Sequence, residues 1–214
     1  MASRAELKEQ KKKTSNALIN AAIEICEEEG YASLSIRSVA RKASIAPTSF
    51  YRHFRDIDEL GVAIVDKANL VLTDCFQQIR NKIPEHCIVN NTASLEQKLQ
   101  SIESVVRPFV ETFIECIKQN SQLICLFFQE RTGHSEQLRK AISECINNFV
   151  FILSQDLQRY AQNISHERSD LSLIAESMIA LASYDSVAML VDQQCETNEV
   201  LIKKLNLLLL GALQ

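Results

Sequence analysis

The chain has 214 residues, of which 46% are hydrophobic and 23% charged, a composition typical of a soluble globular protein. Only 4 glycines and 3 prolines occur in it, too few for the many turns that a β-rich fold of this length would need. The composition therefore predicts long helices joined by few loops, and the length allows one domain or two small ones.

The formal net charge of −4 is unevenly distributed along the chain. Residues 1–55 contain 10 Lys and Arg against 6 Asp and Glu, a balance of +4, whereas residues 56–214 contain 13 against 21, a balance of −8. A basic N-terminal segment on an acidic body favours a polyanionic partner that is bound at one end. The alternative is chance clustering of charge on a solvated surface.

The seven cysteines contain no C-x-x-C pair, and most of them lie in apolar helical stretches. This pattern is typical of small buried side chains in a reducing cytosol, with a redox role as the alternative. The N-terminus is charged from Arg4 to Lys13, unlike a signal peptide, and the apolar run 205–213 is too short to cross a bilayer. We therefore expect a cytoplasmic protein that does not contact a membrane.

Hydrophobic periodicity predicts a succession of helices with no internal repeat. A loop rich in Asn, Thr and His is expected over 84–94, and Pro108 is expected either to kink or to split the helix that contains it. The predicted helices cover about residues 5–29, 36–43, 47–53, 56–82, 95–118, 121–131, 135–162, 166–195 and 198–212.

Local signals mark the ends of these helices. Gly30 is expected to end the first helix in a left-handed conformation. Ser35 is a good N-cap for the second helix, Pro47 suits the first position of the third, and Asp56 can cap the fourth. Ser94 opens the next helix with a capping box.

The last two predicted helices carry apolar residues on more than one side. Leu171, Ile174, Met178 and Ala182 share one side of the first of them, whereas Leu173, Ala180, Tyr184, Val187 and Val191 share another. The final helix is apolar nearly all round, so it must be covered on all sides. A second copy of the chain is the simplest cover, which predicts a symmetric homodimer joined by a four-helix bundle. The alternative is a helix at the centre of a monomeric core.

Residues 33–55 form two predicted short helices with a tight turn between them, an arrangement suited to DNA. The second of these helices presents Pro47, Thr48 and Ser49 at its tip, where a recognition helix approaches base edges in the major groove. The proline and the threonine methyl can contact a thymine methyl, and the hydroxyls can bond to several bases. Arg52 can reach a guanine or a phosphate, and Arg37 and the Lys11–Lys13 run add attraction that does not depend on sequence.

The residues Gly30-Tyr31, Ser33–Arg41, Ile45 and Phe50–Phe54 together resemble the N-terminal helix-turn-helix of the TetR family of bacterial transcriptional repressors. The resemblance implies an all-α fold, with a three-helix DNA-binding domain over 1–55 and a helical effector-binding and dimerisation domain over 56–214. It further implies a palindromic double-stranded operator, phosphate contacts from Tyr51 and His53, and a phosphate contact from Ser35.

Two positions depart from the family pattern. The turn carries Ser44 where the family usually has glycine, and Ile57 stands where the family usually has a phosphate-binding lysine.

Within that family, the stretches Ile45–Gly61 and Glu130–Gly133 resemble repressors of fatty acid biosynthesis. That resemblance implies a hydrophobic effector, an acyl thioester of acyl carrier protein or coenzyme A, whose unsaturated forms strengthen DNA binding. The expected site is an apolar tunnel with an arginine at its mouth, Arg131 or Arg107. Two alternatives remain, a plain apolar core and a tunnel for another hydrophobic or drug-like ligand. The candidate ligand-binding residues are Phe76, Phe109, Phe113, Phe127, Phe128 and Arg131.

An enzyme is the contrasting function class. The four histidines, at 53, 86, 134 and 166, lack the spacing of metal ligands. The chain has neither a glycine-rich phosphate loop nor a nucleophile elbow. We therefore expect no catalytic activity, no metal and no cofactor.

Overall fold

The computed structural model describes residues 3–84, 94–160, 168–191 and 198–212, and all secondary structure in those ranges is helical. The predicted all-α fold is confirmed. The predicted loop after Pro84 lies almost entirely outside the described residues, as do the predicted helix ends at 162, 166 and 195. The helices are α1 Arg4–Glu29, α2 Ile36–Lys42, α3 Pro47–Phe50, α4 Ile57–Lys82, α5 Leu95–Gln119, α6 Ser121–Gln129, α7 Glu136–Tyr160, α8 Arg168–Val191 and α9 Asn198–Ala212.

The caps form largely where the sequence places them. The Ser35 side chain accepts from the Ser38 amide at the start of α2, and Pro47 stands at the first turn of α3. The Asp56 carboxylate accepts the Glu59 amide at 2.8 Å, and Ser94 forms its predicted capping box at the start of α5. Each cap satisfies an amide that has no partner within its helix.

Two local predictions need correction. Gly30 ends α1 with φ 82° but ψ 160°, so its conformation is not the left-handed helical one. Helix α3 ends at Phe50 instead of 53, and the next three residues form a turn. Of the two outcomes predicted for Pro108, a kink or a split, the split does not occur, because Pro108 lies inside a continuous α5.

The described chain separates into two compact units, residues 1–69 with 122–143 and residues 70–121 with 144–214. Helices α4 and α7 each contribute residues to both units. The predicted division at residue 55 is a functional one and stays a prediction.

The first unit has a small core beneath its N-terminal helices. Helix α1 packs against α2, and α2 packs against α3. The rings of Phe50 and Phe54 lie 5.8 Å apart, as their four-residue spacing predicts. Their partners in this core are buried residues of α1, α2 and α4, which include Leu18, Ala22, Val39, Ala40 and Leu60.

The second unit is built on α5, α8 and α9, which pack against one another. Helix α9 buries Leu201, Ile202, Leu205 and Leu209. It leaves Leu207 61% exposed, so the expectation that α9 is covered on all sides is not met within one chain.

Helix α8 likewise has a buried side and an exposed side. Leu171, Ile174, Met178 and Ala182 are buried, whereas Leu173 and Tyr184 are 62% and 75% exposed. By length and composition its segment Asp170–Leu190, with a mean hydropathy of 1.4, is the one described helix that could cross a membrane. Because α8 buries one side against α5 and α9 and holds a buried Asp185 paired with Lys204 at 3.1 Å, its composition is that of a core helix.

Candidate nucleic-acid interface

A tight turn joins α2 to α3 and fixes the tip of the first unit. The amides of Ser44 and Ile45 donate to the carbonyls of Arg41 and Ala40 at 3.1 and 2.9 Å. Ser44 has φ 57°, the left-handed conformation that glycine adopts most easily. The turn therefore needs this conformation at the position where the sequence departs from the family pattern.

Helix α3 is one turn long, and further backbone hydrogen bonds form a turn directly after its end. The Arg52 amide donates to Ser49 at 3.2 Å, and the amides of His53 and Phe54 donate to Phe50 at 2.8 and 3.1 Å. These bonds, together with the buried Phe50, hold the backbone of residues 51–53 in place. The side chains in this turn therefore project from a fixed frame.

The residues predicted to contact DNA lie mainly on the surface of the first unit. Ser35, Arg37, Pro47, Thr48, Tyr51 and Arg52 are exposed, and Ser49 and His53 are half-buried. Tyr51 is 62% exposed, and its ring meets Phe50 edge-on at 6.0 Å. We call Pro47, Thr48, Tyr51, Arg52 and His53 the recognition tip.

His53 connects the recognition tip to α1. Burial lowers the pKa of its imidazole, and the positive charges of Lys11 and Arg52 lower it further. Its Nδ1 atom is buried and has no hydrogen-bond partner among the described residues, so the remaining ring nitrogen is the one available to an outside group. The predicted basic run of α1 therefore contributes Lys11 to the electrostatic environment of the tip.

Several cations of the first unit are occupied by carboxylates. Lys42 contacts Glu24 and Glu28 at 3.3 and 3.1 Å, and Arg55 contacts Glu59 at 3.1 Å. Arg37 and Arg52, in contrast, form no ion pair among the described residues. The exposed positive charge available to a polyanion therefore includes these two arginines and the Lys11–Lys13 run, together with Arg41 in α2.

Ser35 has a structural role that bears on its predicted phosphate contact. Its hydroxyl accepts the Ser38 amide at 3.1 Å and lies 2.9 Å from the Ser38 hydroxyl. The side chain is exposed, but it is already used as the cap of α2. Its contact with phosphate stays a prediction.

Comparison with known proteins agrees with this geometry. Residues 18–64 match the family model of bacterial regulatory proteins of the tetR family. This part of the chain is therefore similar to the N-terminal segment of those regulators. The match runs from the second half of α1 to the first turns of α4 and thus includes the whole recognition tip.

The likeness in fold extends over nearly the whole chain. FadR from Bacillus halodurans, a fatty acid degradation regulator, superposes with a TM-score of 0.65 at 17% identity, over 94% of this chain and 96% of that chain. A regulatory protein in the tetR family from Rhodococcus RHA1 superposes with a TM-score of 0.67 at 13% identity, over 94% and 97%. The multidrug binding protein EbrR gives 0.60 at 18% identity, over 92% and 89%.

Three of the predicted ligand-binding residues lie together in the second unit. Phe76, Phe109 and Phe113 are at most 7% exposed. Phe109 stacks on Phe113 at 5.7 Å, and Phe76 stacks on Phe149 at 5.0 Å. The rings contact one another as core side chains do, and their role as a tunnel lining stays a prediction.

The other predicted ligand residues belong to the first unit. Phe127 and Phe128 meet edge-on at 5.2 Å, and Arg131 is exposed. Arg107, the second arginine considered, lies in the other unit, where its guanidinium contacts Glu103 and Glu199 at 2.7 Å. Of these two arginines, Arg131 is therefore the one that forms no ion pair with a described carboxylate.

A cavity of about 410 Å³ in the second unit was not predicted. It lies between α4 and α5 and combines two carboxylates, Asp74 and Glu115, with amides, a thiol and two apolar residues. The signal in the sequence is a polar stripe at helical spacing, Thr112, Cys116 and Asn120, but a polar stripe is ordinarily a solvated face. The lining residues are Leu70, Val71, Asp74, Gln78, Thr112, Glu115, Cys116, Gln119 and Asn120.

The described histidines of this chain lie apart from each other. His53 lies in the recognition tip and His134 is exposed, while His86 and His166 fall outside the described residues. Within the described ranges, no group of three or more His, Cys, Asp or Glu side chains is placed to hold a metal ion.

Proposed function

We propose that the regulator is a repressor that binds a palindromic operator as a homodimer and responds to a hydrophobic effector. The recognition tip is the observation that carries this proposal. It places short side chains, an exposed tyrosine and an unpaired arginine on a rigid turn in a segment that matches a family of bacterial regulators.

The tip supplies two kinds of DNA contact. Thr48 and Pro47, at the start of α3, suit base edges because short side chains let the backbone approach the groove closely. Tyr51, Arg52 and His53 suit phosphates, which position the protein without reading sequence. Such a module makes few base contacts, so we infer that two copies act together on one site.

The exposed apolar residues of α8 and α9 support the homodimer. Leu173, Tyr184 and Leu207 are each more than 60% exposed in a single chain. Burial of a large apolar side chain contributes roughly 1.5–3 kcal/mol, so covering these residues favours association. Pairing α8 and α9 with their counterparts would give the four-helix bundle that the sequence predicts.

The proposed effector is an acyl thioester, and the proposed targets are genes of unsaturated fatty acid synthesis. The support is the likeness of Ile45–Gly61 and Glu130–Gly133 to the fatty acid biosynthesis repressor FabR. Within the second unit, the apolar cluster around Phe109 suits an acyl chain. Within the first unit, the exposed Arg131 suits a phosphate. FadR, which shares the fold, is a regulator of fatty acid degradation.

A cationic drug-like effector is the second candidate, and the cavity between α4 and α5 favours it. Asp74 and Glu115 line that cavity together with the apolar Leu70 and Val71, which suits an amphipathic cation. EbrR, which also shares the fold, is a multidrug binding protein.

Selection of bound duplexes from a random DNA library tests the operator proposal. We expect a palindrome whose half-sites lie about one helical turn, roughly 10 base pairs, apart or slightly further. The variant Thr48→Ala should relax preference at one position of each half-site by about 1–3 kcal/mol. A library that shows no enriched sequence would rule out the operator proposal.

A gel shift on the selected operator tests the effector. Unsaturated acyl-CoA should strengthen the shift more than saturated acyl-CoA does, and Arg131→Ala should reduce that response. A response to cationic amphipathic dyes that Asp74→Asn abolishes would instead establish the second candidate. If neither class of ligand changes the shift, both effector proposals fail while the operator proposal stands.

A further inference from the structure

Two cysteines of the second unit face each other across α4 and α5. The Cys75 thiol lies 4.0 Å from the carbonyl oxygen of Thr112, and the Cys116 thiol lies 4.0 Å from the carbonyl oxygen of Val71. Thr112 precedes Cys116 by four residues, and Val71 precedes Cys75 by four. The contacts are therefore reciprocal, and the two cysteines stand at the same level of the helix pair.

The two thiols also differ in acidity. Their interaction with each other lowers the pKa of Cys116 and raises that of Cys75. Burial and the nearby Asp74 carboxylate oppose ionisation of both thiols. The pair is thus asymmetric, with Cys116 the better nucleophile and Cys75 the protonated donor.

Access to the pair is equally asymmetric. Cys75 is 1% exposed, whereas Cys116 is half-buried and lines the cavity between α4 and α5. Thr112 also lines this cavity and is 2% exposed as a residue. A small reagent in the cavity would therefore reach Cys116 before Cys75.

The cavity also selects the charge of the reagent. Asp74 and Glu115 place two carboxylates in its lining, and these disfavour anionic oxidants. A neutral hydroperoxide fits the volume and the charge of the cavity.

We propose that Cys116 and Cys75 are an oxidation site at which a neutral hydroperoxide, ROOH, converts the two thiols to a disulfide between α4 and α5. The Cys116 thiolate attacks the terminal peroxide oxygen, the O–O bond breaks, and ROH leaves after taking up a proton, so that Cys116 becomes a sulfenic acid. The Cys75 sulfur then attacks the Cys116 sulfur, which forms the S–S bond and releases water. Two thiols and one peroxide thus give one disulfide, ROH and water.

The disulfide would tie α5 to α4, the helix that contributes residues to both units. The inference does not depend on operator binding, because the site and its product lie within the second unit.

Peptide mapping after peroxide treatment tests the site on the full chain. Trypsin releases Cys75 in the peptide 68–80 and Cys116 in the peptide 99–118, since the bond between Arg107 and Pro108 resists cleavage. Each peptide contains one cysteine. We expect hydrogen peroxide to yield the linked pair of peptides, and dithiothreitol to remove it.

Three variants assign the roles. Cys75→Ala should leave a Cys116 sulfenic acid that dimedone traps, whereas Cys116→Ala should give neither the link nor the trapped product at residue 75. Cys125→Ser is the matched control, because Cys125 is another half-buried thiol whose pKa burial raises, and it should leave the link unchanged. Circular dichroism checks that each variant is folded.

Peroxide that leaves 68–80 and 99–118 unlinked in the folded wild-type protein would overturn the proposal. A peroxide-induced disulfide that joins other cysteines, such as Cys87 or Cys195, in place of Cys75 and Cys116 would overturn it as well. Trapping of a sulfenic acid at Cys75 instead of Cys116 would refute the assigned order of attack.

Discussion

The recognition tip and the α8–α9 face expose large side chains to a similar degree, but with opposite chemistry. Tyr51 at the tip is 62% exposed and stands beside an exposed arginine, whereas Leu173 and Leu207 are apolar side chains that are 62% and 61% exposed. Exposure alone therefore does not identify a partner. The polar and cationic tip suits a solvated polyanion, and the apolar face suits another apolar face.

The two surfaces also differ in how rigidly the sequence holds them. The tip is fixed by local hydrogen bonds within residues 40–54 and by one buried ring, Phe50. The α8–α9 face is held by packing between helices distant in sequence. Changes at the tip should therefore affect DNA binding alone, whereas changes at the face should affect assembly first and DNA binding as a consequence.

The largest expected effect comes from placing charge on the apolar face. The double variant Tyr184→Glu, Leu207→Glu should yield monomers in sedimentation velocity, because a carboxylate cannot be buried against a second copy without a large desolvation cost. Operator affinity should then fall by about 100-fold or more, equal to about 2.7 kcal/mol, since a monomer contacts one half-site only. Leu95→Glu, at a leucine that is 60% exposed at the start of α5, should change neither property. Dimers that persist in the double variant would refute the proposed bundle.

Gly61 offers a test of the packing beneath the tip. A Cβ added there would collide with the Tyr31 hydroxyl and lie 3.2 Å from a methyl carbon of Leu138. Gly61→Ala should therefore lower the free energy of unfolding by about 1–3 kcal/mol in urea, in spite of a helix-propensity gain of about 1 kcal/mol. Gly211→Ala, where no atom lies within 4 Å, should cause no loss.

The partner of Gly61 can be removed as well. Tyr31→Phe deletes the hydroxyl that would collide and gives up only a 3.4 Å hydrogen bond to the Ile57 carbonyl. The double variant Tyr31→Phe, Gly61→Ala should thus be more stable than Gly61→Ala alone, which a double-mutant cycle measures. If the effects of the two substitutions on stability are additive in that cycle, the predicted collision between residues 31 and 61 is wrong.

A smaller effect is expected at His53. Burial and the charges of Lys11 and Arg52 lower the pKa of this imidazole in the free protein, and a bound phosphate would raise it again. The complex then binds more protons than the free protein, so operator affinity should rise as the pH falls from the pKa of the complex toward that of the free protein. The rise should not exceed about tenfold per pH unit. His53→Gln should reduce this pH dependence of operator affinity. If the variant keeps the pH profile of the wild type, His53 does not contact the DNA.

The smallest expected effect concerns the turn. Ser44 has φ 57°, a conformation that costs a residue with a Cβ roughly 1–2 kcal/mol. Ser44→Gly should raise the free energy of unfolding by at most about 1 kcal/mol, because glycine loses more entropy on folding. Ala43→Gly, with φ −77° next to it, should lower stability instead. A loss of stability in Ser44→Gly would show that the serine is not strained.

The sequence could predict most of the helix ends because local chemistry sets them. The side chains of Ser35, Asp56 and Ser94 accept amides three residues further on, and Pro47 restricts its own backbone, so their roles can be predicted without knowledge of the fold. The end of α3 was placed too late, because hydrogen bonds to residues three positions back continue as a turn after Phe50. Periodicity alone does not distinguish that turn from helix.

Features that join distant residues could not be predicted. The contact of Gly61 with Tyr31 and Leu138 spans three helical segments, and the cavity with Cys75 and Cys116 forms only when α4 meets α5. The function of the phenylalanines cannot be predicted from the sequence either. Packed rings such as Phe109 and Phe113 are equally compatible with a plain core and with the lining of a tunnel.

The salt dependence of operator binding by Arg52→Ala tests the central claim most directly. Loss of a phosphate contact should weaken binding by roughly tenfold or more and reduce the slope of log affinity against log salt by about one. Lys118→Ala, which removes an exposed positive charge from α5, should leave affinity and slope unchanged. Wild-type affinity and slope in Arg52→Ala, and equally in Tyr51→Ala, would contradict the placement of this turn against DNA.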